Sequence, residues 1–153
     1  MASVAYAIDT ALQSMLRSAA LDGITSASIK IRSLPKSGET LDATPLIVIS
    51  AVGTIDSAPF SMEGRIQRIY RRQVTVIDAM EGDYASRQDQ HATWLELATQ
   101  TIQKEPDGSL RSKLSGVPSV WLIMVERVDT FDRGKLAEDY SYQGIIASFY
   151  SME

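Results

Sequence analysis

The sequence predicts an α+β fold of two layers: a mostly antiparallel sheet with two helices on one face and a long protruding β-hairpin. Two segments with helical periodicity and five with strand texture lead to this prediction. Their order is helix, strand, long hairpin, helix, hairpin, which is typical of sequential antiparallel strands covered by helices. The 153 residues fit one domain, residues 1–153.

Both helices are predicted from apolar residues that recur at helical spacing. The first covers residues 3–21, and its apolar stripe consists of Ile8, Leu12, Met15, Leu16 and Ala19. Asp22-Gly23 then supplies a stop signal. The second covers residues 85–104, and its stripe consists of Trp94, Leu95, Ala98 and Ile102.

Four of the strands follow from alternating or continuously apolar runs. Residues 27–34, "ASIKIRSL", alternate and indicate a short, half-buried strand, whereas "LIVISAVG" at 46–53 is apolar on both faces and suits a central strand. Two more strands, residues 120–131 and 140–151, are joined by the charged turn "DRGKLAED". Polar loops rich in turn residues occupy 35–45 and 105–119.

The fifth strand lies in residues 64–83, "GRIQRIYRRQVTVIDAMEGD", where arginines fill the first half and valine and isoleucine the second. Because side chains alternate along a strand, Arg65 and Arg71 face one side and Arg68 and Arg72 the other. A buried unpaired arginine costs several kcal/mol, so neither face of residues 65–72 is expected to be packed core. About 14 residues at roughly 3.3 Å each span some 46 Å. We therefore expect the outer half to leave the body as an arm.

Three interpretations of these arginines stay open. They form a solvated edge that blocks unwanted strand pairing, a contact surface for another acidic copy, or a phosphate or nucleic-acid site. The net charge of -4 disfavours the last. The predicted oligomer or partner interface consists of Arg65, Arg68, Arg71 and Arg72.

Composition excludes several kinds of site. With no cysteine and one histidine, the chain cannot use thiol catalysis, a cysteine zinc site or a histidine-rich metal site. Asp9 and Arg17 interrupt the apolar pattern of the first helix, which argues against a signal peptide. No apolar run reaches the roughly 20 residues of a membrane span. We expect a soluble, cytoplasmic-type chain with no membrane partner.

The remaining candidates for chemistry are weak. "SLPK" at 33–36 matches a serine–lysine motif only formally, because its companion K-T-G is missing. Asp78, Glu81 and Asp83 lack the ligand spacing of a calcium loop and suit a strand-to-helix turn better. His91 lies on the apolar side of the second helix with no partner recognisable by motif. No catalytic, cofactor-binding or metal-binding residue is predicted, and no cofactor.

The order and texture of these segments resemble the tail-terminator family of long-tailed bacteriophages, with its related tail-completion and neck proteins. The segments that carry the resemblance are "TPLIVISAVG", "RRQVTVIDAMEGD", "LATQTIQK", "VWLIMVERVDTF" and "YSYQGIIASFYS". It covers nearly the whole chain but includes no diagnostic residue. The arginine-rich start of the hairpin is a departure, because it is not expected of every member of the family.

The resemblance implies a structural virion protein rather than an enzyme. Family members form a ring, typically a hexamer, that ends tail-tube growth and joins tail to head. The implied partners are other copies of the chain, the tail-tube protein, the head–tail connector and, if the tail contracts, a sheath protein. DNA would pass the channel only as cargo. The expected location is the virion tail or neck, with assembly in the host cytoplasm.

Two alternatives stay open beside this one. Another head–tail connector or head-completion protein would share the fold and differ only in its position in the particle. A small α+β enzyme or ligand-binding domain would need a concave pocket with convergent polar groups, for which the sequence offers no cluster.

Overall fold

The computed structural model describes residues 3–19, 21–35, 45–57, 66–79, 84–128 and 140–153. Two α-helices and five strands lie in these residues, in the predicted order, and the predicted α+β class is confirmed. The elements are α1 (Val4–Ser18), β1 (Ile29–Ile31), β2 (Leu46–Ser57), β3 (Gln67–Ala79), α2 (Tyr84–Gln103), β4 (Val120–Val128) and β5 (Tyr140–Met152). In these residues no helix is long and apolar enough to cross a membrane.

The five strands form one mixed sheet in the order β1-β2-β3-β5-β4. β1 runs parallel to β2, and every other neighbouring pair is antiparallel. β5 lies between β3 and β4, so the last strand of the sequence is inside the sheet and β4 is at its edge.

Both helices pack on one face of the sheet, as predicted. One buried cluster joins Ile8, Leu12 and Leu16 of α1 and Trp94 and Ala98 of α2 to side chains of all five strands; these include Ile29, Ile47, Ile49, Val74, Val76, Ile123 and Ile145. We call this side the helix face and the opposite side the outer face. A smaller cluster of Leu46, Val48 and Ile77, with Leu34 against it, lies on the outer face near the base of β2.

The ends of α1 follow from local chemistry. Ser3 caps the helix, and its hydroxyl accepts a hydrogen bond from the Tyr6 amide at 3.2 Å. After the helix, Gly23 takes a left-handed conformation, with φ of 83°. The Trp94 indole N–H then donates to the Asp22 carbonyl at 2.7 Å, which joins this turn to α2.

The structure does not confirm the long protruding hairpin. β2 and β3 pair from Leu46 to Ser57, but β5 pairs with the other side of β3 along all of Gln67–Ala79. A two-stranded ribbon is only marginally stable alone, and β5 supplies the third strand. The described part of the arginine-rich run is therefore a central strand. The predicted tip is "TIDSAPFSMEG", residues 54–64; its first four residues belong to β2, and residues 58–65 lie outside the described residues.

The expectation that neither face of residues 65–72 is packed core is wrong for two side chains. Tyr70 and Arg72 are only 6% and 3% exposed. Both face the helix layer, because they alternate in register with Val74 and Val76. The prediction assumed unpaired arginines, whereas Arg72 has a carboxylate partner on α1.

Candidate assembly interface

Arg72 is tied into its own copy of the chain. Its Nε donates to the Asp9 carboxylate, and the side chains of the pair are 4% and 17% exposed. Its Nη1 donates to the Arg71 carbonyl at 3.1 Å, and its guanidinium lies 5.9 Å from the Tyr70 ring centre. Arg72 therefore connects β3 to α1 and has little surface to offer a partner.

Arg68 belongs to an exposed network at the far end of β3. Its Nε donates to Asp56 Oδ1 at 3.1 Å, and its Nη1 lies 3.5 Å from Glu153 Oε1. The Tyr70 hydroxyl donates to the other Glu153 oxygen at 2.8 Å. Hydrogen bonding to Tyr70, followed by the nearby Asp56 and Glu153 carboxylates, raises the pKa of Arg68. Burial, followed by the hydrogen bond to Glu153, raises the pKa of Tyr70.

Arg71 differs from Arg68 and Arg72 because it lies on the outer face. It is half-buried, pairs in register with Gly53 on β2 and Ser148 on β5, and has no ion-pair partner within the described residues. Arg65 lies outside those residues. The interface role of the four arginines stays a prediction, and Arg71 is the described member whose charge is available to a neighbour.

An apolar band crosses the outer face of the sheet close to Arg71. Paired residues of antiparallel strands share a face, so the registers define one row across β2, β3, β5 and β4: Ile55, Ile69, Tyr150 and Leu122. Trp121 packs edge-on against Tyr150, with ring centres 5.9 Å apart. Ile55, Trp121 and Met124 are each 46–50% exposed, so the band is open to a partner.

The sheet has two unlike edges. β1 covers only Ile47–Ile49 of β2, so Ser50–Ser57 has no neighbouring strand on that side within the described residues. Ala51–Asp56 are all exposed. β4 pairs with β5 alone, and its other side has no strand in the described part of the chain. Unpaired edge strands present free N–H and C=O groups to other chains.

A bulge at Ala51–Gly53 changes which residues of β2 face outward. Val52 is the extra residue, because Ala51 pairs with Arg72 and Gly53 with Arg71. Gly53 has a φ of 154°, a region that favours glycine. After the bulge, Ile55 lies on the outer face and Thr54 on the helix face, opposite Tyr70.

Sequence reasoning missed a buried pair between β3 and α2. His91 Nε2 lies 2.8 Å from Asp78 Oδ2, and the side chains are 1% and 3% exposed. The ring stacks on Trp94, and its Nδ1 has no partner within the described residues. Alternation with Val74 and Val76 is the signal that could have placed Asp78 towards the helix layer. The pair fits the structural role expected of His91.

The described residues hold no cluster of metal-ligating side chains. Glu81 and Asp83 of the considered cation site, and Lys36 of "SLPK", lie outside them. A groove of about 850 Å³ runs between α1 and the loop after α2. Arg111 lines it, but this cation already pairs with Glu105 at 3.3 Å and donates to the Lys104 carbonyl at 3.0 Å.

No protein-family model matches the chain, and no curated protein matches it. Among solved structures, one chain of "Virion of native gene transfer agent (GTA) particle" is similar to it. The two are 16% identical with a TM-score of 0.49, over 100% of each chain. A likeness with this sequence identity and this TM-score carries no inference about function.

Proposed function

We propose that this chain is a structural protein of a phage-like particle. It forms a ring, expected to be a hexamer, at the head-proximal end of the tail, where it ends tube growth and joins tail to head. Its partners are other copies of itself, the tail-tube protein, the head–tail connector and, in a contractile tail, the sheath. The resemblance of its segments to tail-terminator proteins supplies the position in the particle.

One observation carries the proposal of assembly: within the described residues, the sheet is open at two unlike edges, and exposed apolar side chains lie beside both. Val52 and Ile55 flank the β2 edge, and Trp121 and Met124 lie on β4. A closed ring needs one patch to meet a different patch on the next copy. Two unlike edges on one sheet supply such a pair.

The groove beside α1 favours a second candidate, a small ligand-binding domain. Its volume is within the range of small-molecule sites. Thr10, Ser14 and Lys104 contribute polar groups to its lining. This candidate predicts a compact monomer, so the mass in solution separates it from a ring.

Electron microscopy of the purified protein, alone and mixed with tail tubes of its own particle, tests the proposal. We expect rings of uniform diameter, and one ring on one end of each tube. Tubes that continue to grow in the presence of the protein, with no density added at their ends, would contradict the terminator role.

A further inference from the structure

We infer that neighbouring copies join edge to edge, with Ala51–Ser57 of β2 in one copy alongside β4 of the next. This inference rests on the proposed ring and names the surfaces that would build it. The occupant of each edge is thus a second copy of this chain.

Strand direction permits this contact without turning either copy over. β3 is antiparallel to β2, β5 to β3, and β4 to β5, so β2 and β4 run in opposite directions. A copy placed beside another in the same orientation therefore presents its β4 antiparallel to the free part of β2. The result continues the antiparallel pattern of the sheet and is head to tail.

The two edges also lie at the same height. Tracing the registers across the sheet, Val120 shares a row with Asp56, and Glu126 shares a row with Ser50. β1 pairs with β2 as far as Ile49, whose carbonyl also accepts from the Arg32 amide at 3.1 Å, and Ser50 is buried, so the open stretch begins at Ala51. The exposed length of β2, Ala51–Asp56, therefore matches Val120–Val125, with six residues on each side.

Apolar side chains meet when the rows align. Leu122 would stand beside Ile55 of the neighbour, and Met124 beside Gly53, which has no side chain to obstruct it. Ile55 and Met124 are 50% and 46% exposed in the single copy. Cross-strand apolar pairs of this kind add to the stabilisation given by the backbone hydrogen bonds.

Charge is complementary where the contact ends. Glu126 is exposed on the outer face of β4, in the row of Ser50. Lys30 is exposed on the outer face of β1, two rows further along, because it pairs with Val48. Two residues of a strand span about 7 Å, so the Lys30 and Glu126 side chains of adjacent copies can meet. Neither has an ion pair in the described part of its own copy.

Two variants, each blocking one edge, test the inference. Ile55→Asp disables the β2 edge and Met124→Asp the β4 edge, because each puts a carboxylate into the apolar contact. By sedimentation velocity, we expect wild type to assemble and each variant to be monomeric. A 1:1 mixture should form a heterodimer and nothing larger, because each variant keeps the edge that the other lacks. Leu97→Asp, at an exposed position of α2, is the matched control and should assemble like wild type.

The outcomes separate this inference from the proposed function. Rings that persist in both variants overturn the edge assignment but leave the proposed ring in place. A mixture that forms no heterodimer also overturns the edge assignment. Wild type that is monomeric both in solution and at tube ends overturns both. Far-UV circular dichroism checks that each variant folds. If Ile55→Asp or Met124→Asp fails to fold, Ile55→Ser or Met124→Ser takes its place.

Discussion

Two arginine–aspartate pairs on β3 differ in how far water reaches them. Arg72 and Asp9 are buried between β3 and α1, with side chains 4% and 17% exposed, whereas Arg68 and Asp56 are 38% and 59% exposed. Exposed pairs contribute little because water screens them. Breaking a buried pair costs more, because it leaves a charge without a partner in a poorly hydrated site.

We therefore predict that Asp9→Asn lowers the free energy of unfolding by about 2–4 kcal/mol, since it leaves the Arg72 charge unpaired. The matched control, Asp56→Asn, should cost less than about 1 kcal/mol. Urea denaturation followed by circular dichroism measures both. Equal losses in the two variants would show that burial does not distinguish the pairs.

Tyr70 gives a prediction about pH. Its pKa is raised in the folded protein by burial and by Glu153, so folding favours the protonated phenol. That stabilisation is fully present below the ordinary tyrosine pKa of about 10 and is lost as pH rises through the higher folded pKa. We expect Tyr70→Phe to be less stable than wild type at pH 8, and the difference to shrink above about pH 10. Urea titrations across this range measure it, and a constant difference would contradict the assignment.

The helices and strands themselves were predictable because their signals are local. Ile8, Leu12 and Leu16 recur within one helix, and all three are fully buried. The position of β5 beside β3 was not predictable, because it depends on pairing between residues as far apart as Gln67 and Met152. The protruding arm was predicted because the pairing of β5 with β3 was not recognised.

The site was predictable only in part, for the same reason. Arg71 can be placed on the outer face by alternation alone, but the partner of Arg72 lies 63 residues away on α1. The change of face at Ile55 requires the bulge at Gly53, which a strictly alternating strand does not reveal. The exposed apolar edges emerge only when the strand order is known.

At the scale of the whole molecule, the sheet is the proposed unit of assembly. The helices cover one face; β4 bounds one side of the sheet, and on the other side β1 covers only the first part of β2, which runs antiparallel to β4. A head-to-tail contact of this kind gives a ring when the rotation between copies closes, as the proposed function requires, and an open filament when it does not. Each bulge, at Ala51–Gly53 and Val120–Leu122, restricts pairing with unrelated strands.

The absence of cysteine allows a direct measurement of this contact. In Ile55→Cys/Leu122→Cys, the two new thiols lie at opposite edges of one copy but in the same row. A short bismaleimide should give a denaturing-gel ladder that ends at the number of subunits in the ring, expected to be six. Neither single variant should give more than traces of dimer. A double variant that yields only monomer, or dimers without higher species, would contradict edge-to-edge assembly.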